Sequence, residues 1–228
     1  MKDKKKLDLN DYELYIFDCD GVLLDSNQLK SKAFRLTLEN YPKRLVDRFI
    51  SYHELCGGIS RHIKLEYFLS NILKKKNYQK ELQTLLNKFS NISLGLIAKD
   101  SKLVPGVKDF LRKLKKEKKY TIVCSGTDET DLKKILALKN IDHYFSAIYG
   151  SPKTKKEILL KVLTENQNTK IQGIFFGDAA SDFEAAKKYA FDFIFVSYNS
   201  DWKNIREMPE FNNLTSVNSF RDLELYIS

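Results

Sequence analysis

The feature that most constrains this chain is an apolar run that stops at two aspartates, Tyr15-Ile16-Phe17-Asp18-Cys19-Asp20-Gly21. A short unbroken run of aromatic and β-branched residues reads as a buried strand, and the Asp and Gly after it read as its terminating turn. In open α/β sheets, ligands bind at the C-terminal ends of strands. Two carboxylates two residues apart at such an end can share one reaction centre, one attacking while the other moves a proton. Oxygen donors so close together also suit Mg²⁺ better than zinc.

The rest of the chain follows in two styles. The first strand covers residues 13–18. From Ser26 to about Leu103 the apolar spacing is helical, over residues 29–40, 45–55, 60–74 and 78–98. Pro105-Gly106 then interrupts helix, and strand and helix alternate. Helices are expected at 107–118, 129–138, 155–163 and 182–189, and strands at 120–124, 147–149, 173–176 and 193–196. Such alternation implies an α/β fold, a Rossmann-like parallel sheet with helices on both faces. Residues 1–25 and 104–228 form the expected core domain, and 26–103 an inserted all-helical domain.

Three further strand ends carry polar chemistry: Val123-Cys124-Ser125-Gly126-Thr127, Gly150-Ser151-Pro152-Lys153-Thr154-Lys155-Lys156, and Phe175-Phe176-Gly177-Asp178-Ala179-Ala180-Ser181-Asp182. With Asp18-Cys19-Asp20 they stand in the order of the four signatures of the haloacid dehalogenase superfamily, the aspartate-nucleophile phosphatases. The chain resembles that family from Tyr15 to roughly Val196, and the helical insertion resembles the cap that many members carry after the first signature.

The resemblance implies a role for each residue. Asp18 is the expected nucleophile, forming an aspartyl-phosphate that water hydrolyses. Asp20 is the expected general acid and then base; its presence points to phosphatase or phosphomutase chemistry, since dehalogenating members lack it. Mg²⁺ is expected between the Asp18 carboxylate, the Asp20 backbone carbonyl and Asp178, with Asp182 orienting its bound water. Ser125 is expected to donate its hydroxyl to a phosphoryl oxygen, and Gly126 and Thr127 their backbone N–H groups near a helix start. The phosphate-pairing lysine is Lys155, with Lys153 as the alternative. In the insertion, Gly57-Gly58 permits a tight turn and Ser60 a helix cap, which would let Arg61 reach the substrate. His53 and His62 read as ordinary residues of the insertion.

Composition narrows the classes. At 228 residues and 43% hydrophobic content, the chain can build one large core with a small insertion. No run approaches a membrane span, and the Lys-rich N-terminus lacks the apolar stretch of a secretory signal. Cys19, Cys56 and Cys124 show no metal-ligand spacing and are expected as free thiols in a reducing cytoplasm. The net charge of +9 is scattered over helix faces, at residues 4–6, 74–76, 113–119 and 153–156. It reads as solvated surface with a mild attraction for phosphate, so no nucleic-acid partner is expected. A receiver-like signalling domain also combines acidic, Ser/Thr and Lys strand ends, but it is far shorter and has no helical insertion. The expected function is Mg²⁺-dependent hydrolysis of a small phosphorylated metabolite, a sugar phosphate or a phosphoglycolate-like ester. Phosphomutase chemistry of the β-phosphoglucomutase type is the alternative.

Overall fold

The computed structural model describes residues 7–165 and 171–226; the lysines at 4–6 lie outside them. Six parallel strands form one sheet in the order β3-β2-β1-β4-β5-β6. They are β1 Leu14–Phe17, β2 Tyr120–Asp128, β3 Ala147–Ser151, β4 Gly173–Gly177, β5 Asp192–Val196 and β6 Thr215–Val217. β1 lies in the middle, with Ile16 in register with Ile122 of β2 and Phe175 of β4.

Burial on both faces explains the unbroken apolar runs. The two-residue period of a strand sends neighbours to opposite sides. Tyr15, Phe17, Ile174, Phe176, Ile194 and Val196 therefore join one cluster, while Leu14, Ile16, Phe175, Phe193 and Phe195 join the other. On the first side Phe17 stacks on Phe176 at 4.9 Å between ring centres, with Phe110 edge-on at 6.3 Å. Truncating such a fully buried ring to Ala costs about 3–5 kcal/mol.

Helices cover both faces: α5 Val107–Lys116, α6 Glu129–Leu138, α7 Lys155–Glu165 and α8 Ala180–Lys188, numbered after the four helices of the insertion given below. On α5, Val107, Phe110, Leu111 and Leu114 form one buried stripe at helical spacing, and its lysines face outward. Gly106, at φ +85°, leads into it; a Cβ there would sit 2.6 Å from the Arg221 backbone nitrogen.

The insertion contains α1 Asn27–Thr37, α2 Lys43–Leu55, α3 Arg61–Tyr67 and α4 Gln79–Asp100. The helix expected over 60–74 is divided: α3 passes into a π-helical turn at Phe68–Ile72. These helices bury an apolar cluster of their own around Phe34, Phe49, Phe68 and Phe89. The chain leaves and re-enters the sheet side by side. Leu24 bridges Leu103, Asp25 N–H donates to the Lys102 carbonyl at 2.9 Å, and Val104 N–H donates to the Leu23 carbonyl at 3.0 Å.

Two strands differ from expectation. β2 runs on to Asp128, with a register shift against β3 between Cys124 and Asp128, so Ser125, Gly126 and Thr127 lie in an irregular strand extension. β6, a three-residue edge strand, was not expected. Among the described residues, no helix is long and apolar enough to cross a membrane.

Candidate active site

The strand order reverses direction on either side of β1, and the ends of β1, β2 and β4 meet there, the usual ligand crevice of such sheets. Asp18 follows β1 and is 2% exposed. Its N–H donates to the Phe176 carbonyl at 3.0 Å, which holds it beside the end of β4. The chain then turns tightly: Leu23 and Leu24 N–H both donate to the Cys19 carbonyl at 2.9 Å. Gly21 is required in this turn. Its φ is +80°, and a Cβ would lie 2.1 Å from Asp178 Oδ2.

Carboxylate oxygens of Asp18, Asp178 and Asp182 all lie within 4.8 Å of one another. Lys155, the first residue of α7, enters this cluster. Its Nζ is 3.1 Å from Asp18 Oδ1 and also contacts Asp182 Oδ1. Burial alone would pull the Lys155 ammonium down, but Asp18 and Asp182 outweigh it and hold the group above its ordinary value, charged. Asp178 is pushed well up, by burial and then by the Asp18 and Asp182 carboxylates. Asp182 is pushed up by burial, against the pull of Lys155. Its second oxygen is already engaged, accepting from the N–H groups of Asp178 at 3.3 Å and Ala179 at 3.1 Å.

Three buried carboxylates crowd against one ammonium. Asp18 Oδ1, buried and in ion-pair contact with Lys155, accepts no hydrogen bond. A hard divalent cation fits this donor set, and Asp18 and Asp178 are the carboxylates with oxygens to give it.

Asp20 stands apart from the cluster. Its carboxylate accepts from Ser26 Oγ at 2.6 Å and Thr127 Oγ1 at 2.9 Å, and it is ion-paired with Lys30. Burial would push Asp20 up, but Lys30 and the hydroxyl donors hold it below the usual carboxylate range. With the carboxylate so engaged, its backbone carbonyl is the group it could offer a metal. Ser125, Gly126 and Thr127 line the same cavity as Asp18 and Asp20. Ser125 is buried, and its Oγ accepts from Thr127 N–H at 3.2 Å. A Cβ on Gly126 would stand 2.2 Å from the Gly58 carbonyl, so the Gly57-Gly58 turn of the insertion seats directly on β2. Ser181 Oγ donates to the Gly57 carbonyl at 3.0 Å on the other side.

The structure separates the two lysines. Lys153 is exposed, whereas Lys155 is buried against Asp18. Arg61 lines the cavity, but its guanidinium is held by Asp131 and Asp128 of the sheet domain and lies over the Phe89 ring. Sequence reasoning missed several lining residues. Asn27 Nδ2 donates to Asp178 Oδ2 and to the Asn199 carbonyl, both at 2.8 Å. Asn27, Lys30 and Phe34 share one face of α1, and Arg61 and Lys64 one face of α3. Their i, i+3, i+7 spacing was the available signal.

Residues 15–196 match the family model for haloacid dehalogenase-like hydrolases. A phosphorylated carbohydrates phosphatase of Thermotoga maritima is 23% identical over 188 residues, which cover 80% of this chain and 84% of that protein. A protein from Haemophilus somnus described as a predicted phosphoglycolate phosphatase superposes with a TM-score of 0.73 at 18% identity, over 95% of this chain and 98% of that one. A β-phosphoglucomutase from Clostridium difficile gives 0.70 at 20% identity, over 94% and 97%. These structures share the fold, and with the family match spanning both the sheet and the helical insertion, the chain belongs to the haloacid dehalogenase-like hydrolases.

Proposed function

We propose that this chain is a Mg²⁺-dependent phosphatase of small phosphomonoesters, of the sugar-phosphate or phosphoglycolate kind, working through an aspartyl-phosphate. The observation that carries the reading is Asp18: a buried carboxylate with an oxygen free of hydrogen bonds, beside Lys155, at the floor of the cavity. Mg²⁺ held by Asp18, Asp178 and the Asp20 carbonyl would neutralise charge on the phosphoryl group. An Asp18 oxygen attacks phosphorus while the bond to the leaving oxygen breaks. Asp20 gives that oxygen a proton. It then takes a proton from water as the water oxygen attacks phosphorus and the bond to Asp18 breaks. Lys30 keeps Asp20 ionised as it stands, which suits the base step; Asp20 takes up a proton before the acid step.

Lys155 spans Asp18 and Asp182, limiting repulsion between them and fixing the attacking carboxylate. Ser125, Gly126 and Thr127 supply donors to the phosphoryl oxygens. The 26–103 segment acts as a cap domain on the 1–25 and 104–228 core, and the Gly58–Gly126 contact seals out water while Asp18 reacts. Three free thiols fit a cytoplasmic enzyme acting on a small metabolite.

Phosphate release should be screened over phosphorylated sugars, phosphoglycolate, glycerol phosphate and nucleotides. At least one ester should be hydrolysed with Mg²⁺, and EDTA should stop it. Product analysis on hexose phosphates separates hydrolysis from mutase transfer. Silence across the panel, or full activity after rigorous chelation, defeats the reading.

A further inference from the structure

Of the three clustered carboxylates, Lys155 pairs with Asp18 and Asp182. Asp178, only 5% exposed, has no ion-pair partner among the described residues. Its side chain is held by a neutral group instead. Asn27, the first residue of α1, donates from Nδ2 to Asp178 Oδ2 at 2.8 Å. An amide nitrogen carries two hydrogens, and Asn27 uses both. The second goes to the Asn199 carbonyl, beyond the end of β5, also at 2.8 Å. A backbone carbonyl can only accept, so the nitrogen and not the amide oxygen faces this pair.

The surrounding chain is shaped around that contact. A Cβ on Gly21 would stand 2.6 Å from Asn27 Nδ2 as well as against Asp178 Oδ2, so the glycine after Asp20 clears the path between them. Asn199 Nδ2 donates in turn to Asp25 Oδ1, which closes a ring of contacts from the start of the insertion to the loop after β5. Ser200 Oγ donates to the Asp178 carbonyl at 2.5 Å. Asp178 is therefore gripped at both side chain and backbone. A neutral donor also does what a lysine could not: it occupies one carboxylate oxygen without bringing a rival cation. Oδ1 is left to meet a metal, while Oδ2 is held back. That matters for the choice of ion. Mg²⁺ demands near-ideal octahedral geometry, whereas Ca²⁺ tolerates larger, looser shells and takes both oxygens of a carboxylate.

We propose that Asn27 is a positioning residue for the metal: it holds Asp178 as a one-oxygen ligand and so favours Mg²⁺ over Ca²⁺. It acts through Asp178. Hydrogen bonds behind a ligand orient it and tune which metal it holds. The proposal rests on the Mg²⁺ site of the phosphatase reading and goes beyond it, by assigning the ion preference to a residue of the helical insertion.

The test is titration calorimetry with Mg²⁺ alone and with Ca²⁺ alone, without substrate, on the full chain. Wild type should bind Mg²⁺ tighter than Ca²⁺; the reverse order overturns the proposal whatever the variants do. Asn27→Leu keeps about the shape of Asn and removes the donor, and Asn27→Val is a smaller replacement in case Leu does not fit. Melting in EDTA shows that each is folded. Mg²⁺ affinity should fall by about tenfold or more in both, the usual scale for a removed hydrogen bond behind a ligand, and Ca²⁺ affinity by less than about threefold. A smaller Mg²⁺ loss in both variants, or one matched by Ca²⁺, overturns the proposal, since a merely structural role would weaken the two ions alike. Phosphate release by wild type is read separately. Mg²⁺-dependent turnover with an ion preference that ignores Asn27 defeats this inference alone. A preference that depends on Asn27, in a chain that hydrolyses no ester, defeats the phosphatase reading alone.

Discussion

Replacing Asp18 by Asn should destroy turnover and, in the absence of divalent metal, make the protein more stable. The two effects have one origin. Asp18, Asp178 and Asp182 hold carboxylate oxygens within 4.8 Å of one another, so at an effective dielectric of about 20 each like-charged pair repels by roughly 3.5 kcal/mol. The attraction of Asp18 to Lys155 at 3.1 Å returns about 5 kcal/mol on the same scale, less than the two repulsions together. Proton uptake by Asp178, whose pKa is already raised, absorbs part of the difference, while removing a buried charge adds to it. The expected gain is about 1–2 kcal/mol, or roughly 2–8 °C in Tm for a chain of this size. Asn is nearly isosteric, and Lys155 keeps Asp182. The assay is calorimetric melting at pH 7.5 in EDTA and again in excess Mg²⁺, beside phosphate release. The variant should melt higher than wild type in EDTA, gain less from Mg²⁺, and lose more than about 10³-fold in kcat. A lower melting point in EDTA with a native circular dichroism spectrum would refute the charge argument, and retained turnover would refute the nucleophile.

Three further outcomes are expected. Gly126→Ala places a methyl group 2.2 Å from the Gly58 carbonyl, so kcat/KM should fall by about 100-fold as the Gly57-Gly58 turn is lifted off β2, with Tm within a few degrees of wild type; near-normal kcat/KM would mean that the contact is dispensable. Arg61→Ala should lower kcat/KM by about tenfold for sugar phosphates and p-nitrophenyl phosphate alike, because its guanidinium binds Asp131 and Asp128; a loss confined to the larger substrates would return Arg61 to substrate recognition. His53 is pushed from 6.5 down to about 2 in the folded state, so the unfolded chain binds the extra proton below pH 6.5, and stability falls as pH drops from 6.5 to 5 by up to about 1.4 kcal/mol per unit. Urea titrations should show His53→Gln losing that part of the slope, and equal slopes in both proteins would count against a neutral buried imidazole.

What the sequence could show followed from how each side chain's environment is fixed. β1 was legible because burial on both faces leaves an unbroken apolar run, and Asp18 and Asp178 stand out where such runs stop. The lysine cluster after β3 was ambiguous, because Lys153, Lys155 and Lys156 are chemically alike. Only the direction of the first turn of α7 sends Lys155 inward and leaves Lys153 in solvent. The extension of β2 was hidden because Ser125-Gly126-Thr127-Asp128 reads as a turn, and its pairing with β3 depends on a shifted register. β6 is three residues on an edge, too short for periodicity. For Asn27, Lys30 and Lys64 the signal was shared helical spacing, which does not say what that face meets. A polar residue on an amphipathic helix defaults to solvent, and only the packing of α1 and α3 over the sheet turns these three toward the cavity.

The paired crossing at Leu24 and Leu103 has a consequence for ancestry as well as for architecture. Some eighty residues leave and return through neighbouring backbone positions, joined by hydrogen bonds between Asp25 and Lys102 and between Leu23 and Val104. The ends of the detour are already close, so its length adds little to the entropy of closing the loop. Helices can be lengthened, shortened or exchanged there while the strands on either side keep their partners. Residues far from the crossing can then change without disturbing the sheet, while α1, which sends Asn27 to Asp178 and Lys30 to Asp20, stays tied to the strand-end carboxylates.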